Sequence, residues 1–221
     1  MPRFAGIVFD FDGTIAALTI DFEHMRRRVE EILARYGLAE EQGGARYVLE
    51  RIEDACQRYA AQGGDARALR RELFCAVEEI ELAAAAQGRL LPGAAQTLAE
   101  LRQLGLRLGI VTRNCAAAVR AVFPEIGEAC HVLVTRDDVR QPKPHPEHVQ
   151  RCLALLGVAP QRALMVGDHP VDVISGRRLG MATAAVLTGS GTAEQFRDAG
   201  ADWILADVRG VLQLVQGEDA P

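Results

Sequence analysis

Apolar positions along this chain follow two rhythms. The opening segment RFAGIVFD is nearly continuous in apolar residues and stops at an aspartate, which predicts a short strand buried on both faces. The spacing then changes to steps of three and four. In DFEHMRRRVEEILARYG the residues Phe22, Met25, Val29, Ile32, Leu33 and Tyr36 recur on one side, predicting an amphipathic helix that Gly37 ends. Two further helical stretches, ARYVLERIEDACQRYAAQ and DARALRRELFCAVEEIELAAAA, each follow a Gly-Gly pair that reads as a turn. With no strand signal in this region, residues 15–88 are predicted to form a helical insertion.

From Leu91 onward, helical and strand patterns alternate. LPGAAQTLAELRQLG, AAAVRAVF, PEHVQRCLALLG, VDVISGRRLG, AEQFRDAG and VRGVLQLV read as helices; RLGIVT, HVLVT, RALMVGD, MATAAVLT and DWILA read as strands. Strands this rich in Val, Ile, Leu and Ala, separated by amphipathic helices, predict a parallel sheet covered on both faces. The predicted fold class is α/β: a doubly wound, Rossmann-like parallel sheet in residues 1–14 and 89–221, interrupted by the helical domain at 15–88.

Composition narrows the function classes. With 221 residues, 49% of them hydrophobic, the chain has material for a full core. A net charge of -5 supplies no broad positive field, so nucleic acid is not an expected partner. The five cysteines are scattered without a CxxC pair, which suits free thiols in a reducing cytoplasm. No apolar run is long enough to span a bilayer, and the start MPRFAGIVFDFDG lacks the h-region of a secretory signal. A monomer or homodimer acting on a small molecule is the expectation. Lys143, in QPKPHPEH, is the single lysine among 25 Lys and Arg residues. A compact point charge is what that position retains where arginine serves elsewhere.

In open parallel sheets, sites form beyond the carboxyl ends of the strands. The first predicted strand ends in Asp10 and Asp12, RLGIVT in Thr112, Arg113 and Asn114, and RALMVG in Asp168 with Asp172 four residues on. HVLVT leads into the loop of Lys143. Carboxylates gathered in this way need a counter-charge. All-oxygen ligands without cysteine favour a hard divalent cation such as magnesium (Mg2+). Asp10 then suits a nucleophile and Asp12 a proton shuttle, while Thr112 and Lys143 offset charge on a transferred phosphoryl oxygen.

DFDGT, Thr112 within GIVTRN, Lys143 within KPHP, and GDHPVD resemble, in this order, the four motifs of the haloacid dehalogenase (HAD) superfamily. The helical insertion after the first motif resembles the subgroup that includes phosphoglycolate phosphatase and beta-phosphoglucomutase. The resemblance implies a HAD core with a helical cap whose closure excludes water. It further implies a magnesium-dependent phosphatase that hydrolyses a small phosphorylated metabolite through an aspartyl phosphate on Asp10. Carried over by position, Asp12 is the general acid and base and lends its carbonyl to the metal. Asp168 is the carboxylate ligand beside Asp10, and Asp172 acts through water. Phe11, Arg113 and Asn114 bind substrate around the phosphoryl group. On the insertion, the polar face of the first helix offers Arg28 as a candidate substrate contact.

This sequence lacks the Asp-Ser step that often follows the first motif, and it carries Arg113 where Asn or Gly is commoner. Both departures touch substrate recognition rather than phosphoryl chemistry. A phosphosugar mutase and a non-catalytic regulatory protein of the same fold remain open. The insertion has no lysine for a Schiff base, and the presence of Asp12 sets the chain apart from the dehalogenases of the superfamily. His24, Arg27, Arg28 and Arg35 lie opposite the apolar stripe, as a solvated face or as contacts for a substrate carboxylate. His145 and His148 are three apart but lack companions for a metal pair.

Overall fold

The computed structural model describes residues 3–39 and 47–217. Two units divide the chain: residues 1–18 with 85–221, and residues 19–84.

The first unit is built on six parallel strands. In chain order these are β1 (Gly6–Phe9), β4 (Arg107–Val111), β5 (Val132–Val134), β6 (Ala163–Gly167), β7 (Ala182–Val186) and β8 (Trp203–Leu205). β2 (Ala16–Ala17) and β3 (Arg89–Leu90) form a separate antiparallel ribbon. The order across the large sheet is β5-β4-β1-β6-β7-β8, so β1 lies between β4 and β6 and all its residues are buried. Successive side chains on a strand point to opposite faces. Ile7 and Phe9 accordingly join a cluster with Leu98 and Leu101 of α4 (Ala94–Gln103) and with Val211 and Leu214 of α10 (Gly210–Gln216). Val8 faces the other way, toward Val149, Cys152 and Leu156 of α7 (Pro146–Leu156). Each fully buried side chain of this size contributes about 1.5–3 kcal/mol relative to exposure. Helices α5 (Ala116–Val122), α6 (Ile126–Ala129), α8 (Pro170–Arg178) and α9 (Ala193–Ala199) complete the connections.

The second unit holds α1 (Phe22–Arg35), α2 (Val48–Ala61) and α3 (Ala66–Ala85). Asp21 caps α1 by accepting the His24 amide at 2.8 Å. Of the predicted apolar stripe, Met25, Val29, Ile32 and Leu33 are buried, whereas Phe22 in the first turn is 53% exposed. Arg51 of α2 joins two segments of this unit, donating to Glu30 at 2.8 and 3.1 Å and to the Leu38 carbonyl at 2.8 Å. Glu72 of α3 accepts the Tyr36 hydroxyl at 2.7 Å and also pairs with Arg35. The Gly43-Gly44 turn and the start of the second predicted helix lie outside the described residues.

The units divide four residues inside the limits read from sequence, because the β2–β3 ribbon binds both crossing segments to the first unit. Two-residue strands carry no periodic signal. The 3-10 turn Arg136–Asp138 and the four-residue α6 are likewise too short to show one.

Candidate active site

Four strands that are neighbours in the sheet, β5, β4, β1 and β6, end on the same edge and supply the polar residues. Past β1, the chain turns at Phe11, whose carbonyl accepts the amides of Thr14, Ile15 and Ala16. Gly13 takes φ +83° within this turn. Asp10 is buried at the strand end, and its amide extends the ladder to the Val166 carbonyl at 2.8 Å. Asp12 is half-buried, and its Oδ1 accepts the Leu18 amide at 2.8 Å.

The ammonium of Lys143 is buried between two carboxylates. Its Nζ donates to Asp10 Oδ1 and to Asp172 Oδ1, each at 2.6 Å. Burial alone would lower the lysine pKa, but the two carboxylates outweigh it and hold the ammonium protonated. Asp172 also accepts the His169 amide through Oδ2 at 3.2 Å. This follows from the local sequence GDHPVD: His169 caps α8, Pro170 occupies its first turn, and Asp172 closes the capping box. Both oxygens of Asp172 are therefore engaged within the protein.

Asp168 ends β6 under a different set of restraints. Its Oδ2 accepts the Ser190 amide at 3.0 Å. A Cβ at Gly189 would stand 1.9 Å from that oxygen, so only glycine permits the approach of this loop. Thr188 donates its hydroxyl to the Gly13 carbonyl at 2.6 Å, joining the loop after β7 to the turn after β1. Thr188, Gly189 and Ser190 were not among the residues read from sequence. The small polar run TGSGT after a predicted strand is the signal that marks them.

Asp10, Asp168 and Asp172 each offer an oxygen within 4.8 Å of the others. The Asp10 pKa is raised to about 6, since burial, joined by the Asp172 charge, outweighs the downward pull of Lys143 and Arg113. Burial and the neighbouring carboxylates raise Asp168 to about 8. Three clustered carboxylates thus exceed the one ammonium paired with them. A hard dication fits this all-oxygen set, since it would supply the missing positive charge. Among the described residues no hydrogen-bond donor reaches Asp10 Oδ2 or Asp168 Oδ1.

At the end of β4, Thr112 is buried, its amide donates to the Val134 carbonyl at 3.1 Å, and its Oγ1 accepts the Asn114 amide at 3.2 Å. That hydroxyl proton remains available to an oxygen of a ligand. Asn114 Nδ2 is buried without a protein partner, a second such donor. Arg113 is half-buried, and its positive charge is near enough to lower the Asp10 pKa.

The structure brings Asp10, Asp168, Asp172 and Lys143 together and sets Thr112 and Asn114 on the neighbouring strand end. The Phe11 side chain is fully buried in the hydrophobic cluster, so only its backbone is left for a substrate. Arg28 belongs to the second unit, where it is exposed and pairs with Glu31 at 3.2 Å. His145 and His148 are not a metal pair: His145 caps α7, and His148 is buried against backbone groups.

Comparison with known proteins agrees with this arrangement. The family model for haloacid dehalogenase-like hydrolase matches residues 7–186, from β1 to the end of β7. The pyrophosphatase PpaX of Bacillus cereus is 43% identical over 125 residues, which are 54% of this chain and 56% of that protein. The chain thus spans about half the length of the curated relatives it matches. Among solved structures, CbbY from Rhodobacter sphaeroides in complex with phosphate is 27% identical, with a TM-score of 0.65 over 96% of both chains. A hydrolase from Pseudomonas syringae shares the fold at 20% identity, with a TM-score of 0.68 over 98% of this chain and 100% of that one. With the family model covering most of its length and all four strand ends of the site, this chain belongs to the haloacid dehalogenase-like hydrolase family.

Proposed function

We propose that the protein is a magnesium-dependent phosphatase that hydrolyses a small phosphorylated metabolite, with Asp10 as nucleophile. The observation that carries this reading is the buried carboxylate of Asp10 held at 2.6 Å by the chain's one lysine, with two further buried carboxylates beside it. The pyrophosphatase relatives and the phosphate held by the CbbY structure support phosphoryl chemistry.

In this reading Asp10 attacks phosphorus and a P–O bond forms as the bond to the leaving oxygen breaks. Asp12 delivers the proton that the leaving oxygen takes up. Asp12 then accepts a proton from water as that water attacks the aspartyl phosphate, which frees inorganic phosphate and restores Asp10. The Thr112 hydroxyl, the Asn114 amide and the Lys143 ammonium stabilise the charge on the transferred group. Asp10, Asp168 and the Asp12 carbonyl would hold magnesium, with Asp172 acting through water. When bound, the ion neutralises carboxylate and phosphoryl charge. Residues 19–84 would act as the cap that selects the substrate, with Arg28 as a contact. The five free cysteines of the chain fit a reducing cytoplasm, and no helix among the described residues is long and apolar enough to cross a membrane.

The test is phosphate release from a panel of phosphomonoesters and pyrophosphate, with magnesium or with chelator, for the intact chain and for Asp10→Asn. Magnesium-dependent release that Asp10→Asn abolishes supports the proposal. Interconversion of sugar phosphate isomers without net release would replace it with a mutase.

A further inference from the structure

Val134 ends β5 and offers one carbonyl to two other segments of the chain. The Thr112 amide donates to it at 3.1 Å, and His148 Nε2 lies 3.3 Å from it. The other ring nitrogen, Nδ1, stands 3.1 Å from the amide of Lys143. A backbone N–H can only donate, so Nδ1 is the acceptor and carries no proton. In the neutral ring the proton then sits on Nε2 and is given to Val134. The ring is fully buried, and burial with the nearby Lys143 charge pushes its pKa down to about 3, so it stays neutral at ordinary pH. One residue earlier, Glu147 accepts the amides of Arg140 and Gln141, each at 3.2 Å. The first turn of α7 thus holds the lysine loop at three amides.

We propose that His148 is a positioning residue: its imidazole ties the Lys143 amide to the carbonyl that also anchors Thr112, so that ammonium and hydroxyl are held in one frame. The sequence left this histidine without a role. The catalytic consequence rests on the phosphatase reading, whereas the positioning itself does not. Outer groups that orient a site residue are commonly worth about tenfold or more in activity.

Because the chain has one lysine, protein labelled with 15N-lysine gives a single backbone amide resonance, that of Lys143. His148→Phe removes both ring contacts, while His148→Asn keeps an acceptor where Nδ1 stands. We expect the resonance to move and its hydrogen exchange to quicken in His148→Phe, with His148→Asn returning both toward the parent. With p-nitrophenyl phosphate and magnesium, kcat should fall about tenfold in His148→Phe, more than KM rises, and recover in part in His148→Asn. If His148→Phe does not fold, the amide position in His148→Asn against His148→Gln decides: only the former should stay near the parent.

An amide resonance that is unmoved in folded His148→Phe, or His148→Asn no closer to the parent than the alternative variant, would overturn the proposal. So would an unchanged kcat beside a displaced amide. If the parent releases no phosphate while the amide responds as expected, the positioning stands and the phosphatase reading is what falls.

Discussion

Gly13 packs directly against the carboxylate of Asp168: a Cβ at Gly13 would lie 2.5 Å from Asp168 Oδ2, on a backbone at φ +83°. The turn after β1 and the end of β6 can meet only because that position has no side chain. Gly13→Ala should therefore both strain the backbone, by about 1–2 kcal/mol, and displace Asp168. Gly105 supplies the control, with φ +80° and nothing within 4 Å of an added Cβ. Thermal melts should show a loss for both variants, but magnesium-dependent phosphate release should collapse only in Gly13→Ala. Equal activity in the two would refute the close approach as a functional constraint.

Lys143→Met strips the buried carboxylates of Asp10 and Asp172 of their shared counter-charge. Breaking a buried pair from one side typically costs about 3–5 kcal/mol. The loss, read from urea denaturation in chelator, should be larger near pH 8 than near pH 5, where the raised Asp10 and Asp168 take up protons instead. Lys143→Arg should not restore activity, because the bulkier planar guanidinium does not fit the buried space where the compact ammonium lies 2.6 Å from both oxygens.

The metal-free protein should lose stability as pH rises. Asp10 and Asp168 bind protons more tightly in the folded state, with values of about 6 and about 8 against an ordinary 3.8. Their contribution is complete below the unfolded value and is lost as pH climbs through the folded ones. Cation binding needs the ionised carboxylates, so the rise in melting temperature on adding magnesium should grow from about pH 5 to about pH 8. A shift independent of pH would argue against these carboxylates as the ligands.

Within the second unit, Arg51→Met removes the guanidinium that holds Glu30 and the Leu38 carbonyl. Glu30 is 36% exposed, so solvent screens the pair and the cost should be about 1–2 kcal/mol. Hydrogen exchange should accelerate in α1 and α2. Unchanged protection there would show that apolar packing alone holds these helices.

The long elements were legible because their periods are. The apolar strand before Asp10 and the stripe Met25, Val29, Ile32, Leu33 emerge as β1 and α1. Phe22 shares that stripe but is exposed, since spacing assigns a side and not whether anything covers it. The ribbon of Ala16–Ala17 with Arg89–Leu90 left no trace, as two residues make no period and their pairing joins distant parts of the chain.

At the site, the residue types were legible along the chain: acidic residues, a hydroxyl and the single lysine at the ends of predicted parallel strands, where such sheets place their chemistry. Which of these groups pair emerged with the folded arrangement alone. The ammonium lies between Asp10 and Asp172 rather than against Asp168; the loop of Thr188 and Ser190 closes on the first turn; His148 reaches from α7 to the Lys143 amide. Each of these contacts joins separate segments of chain. Sheet order and loop packing set their distances, and neither is encoded in the spacing of residues along one segment.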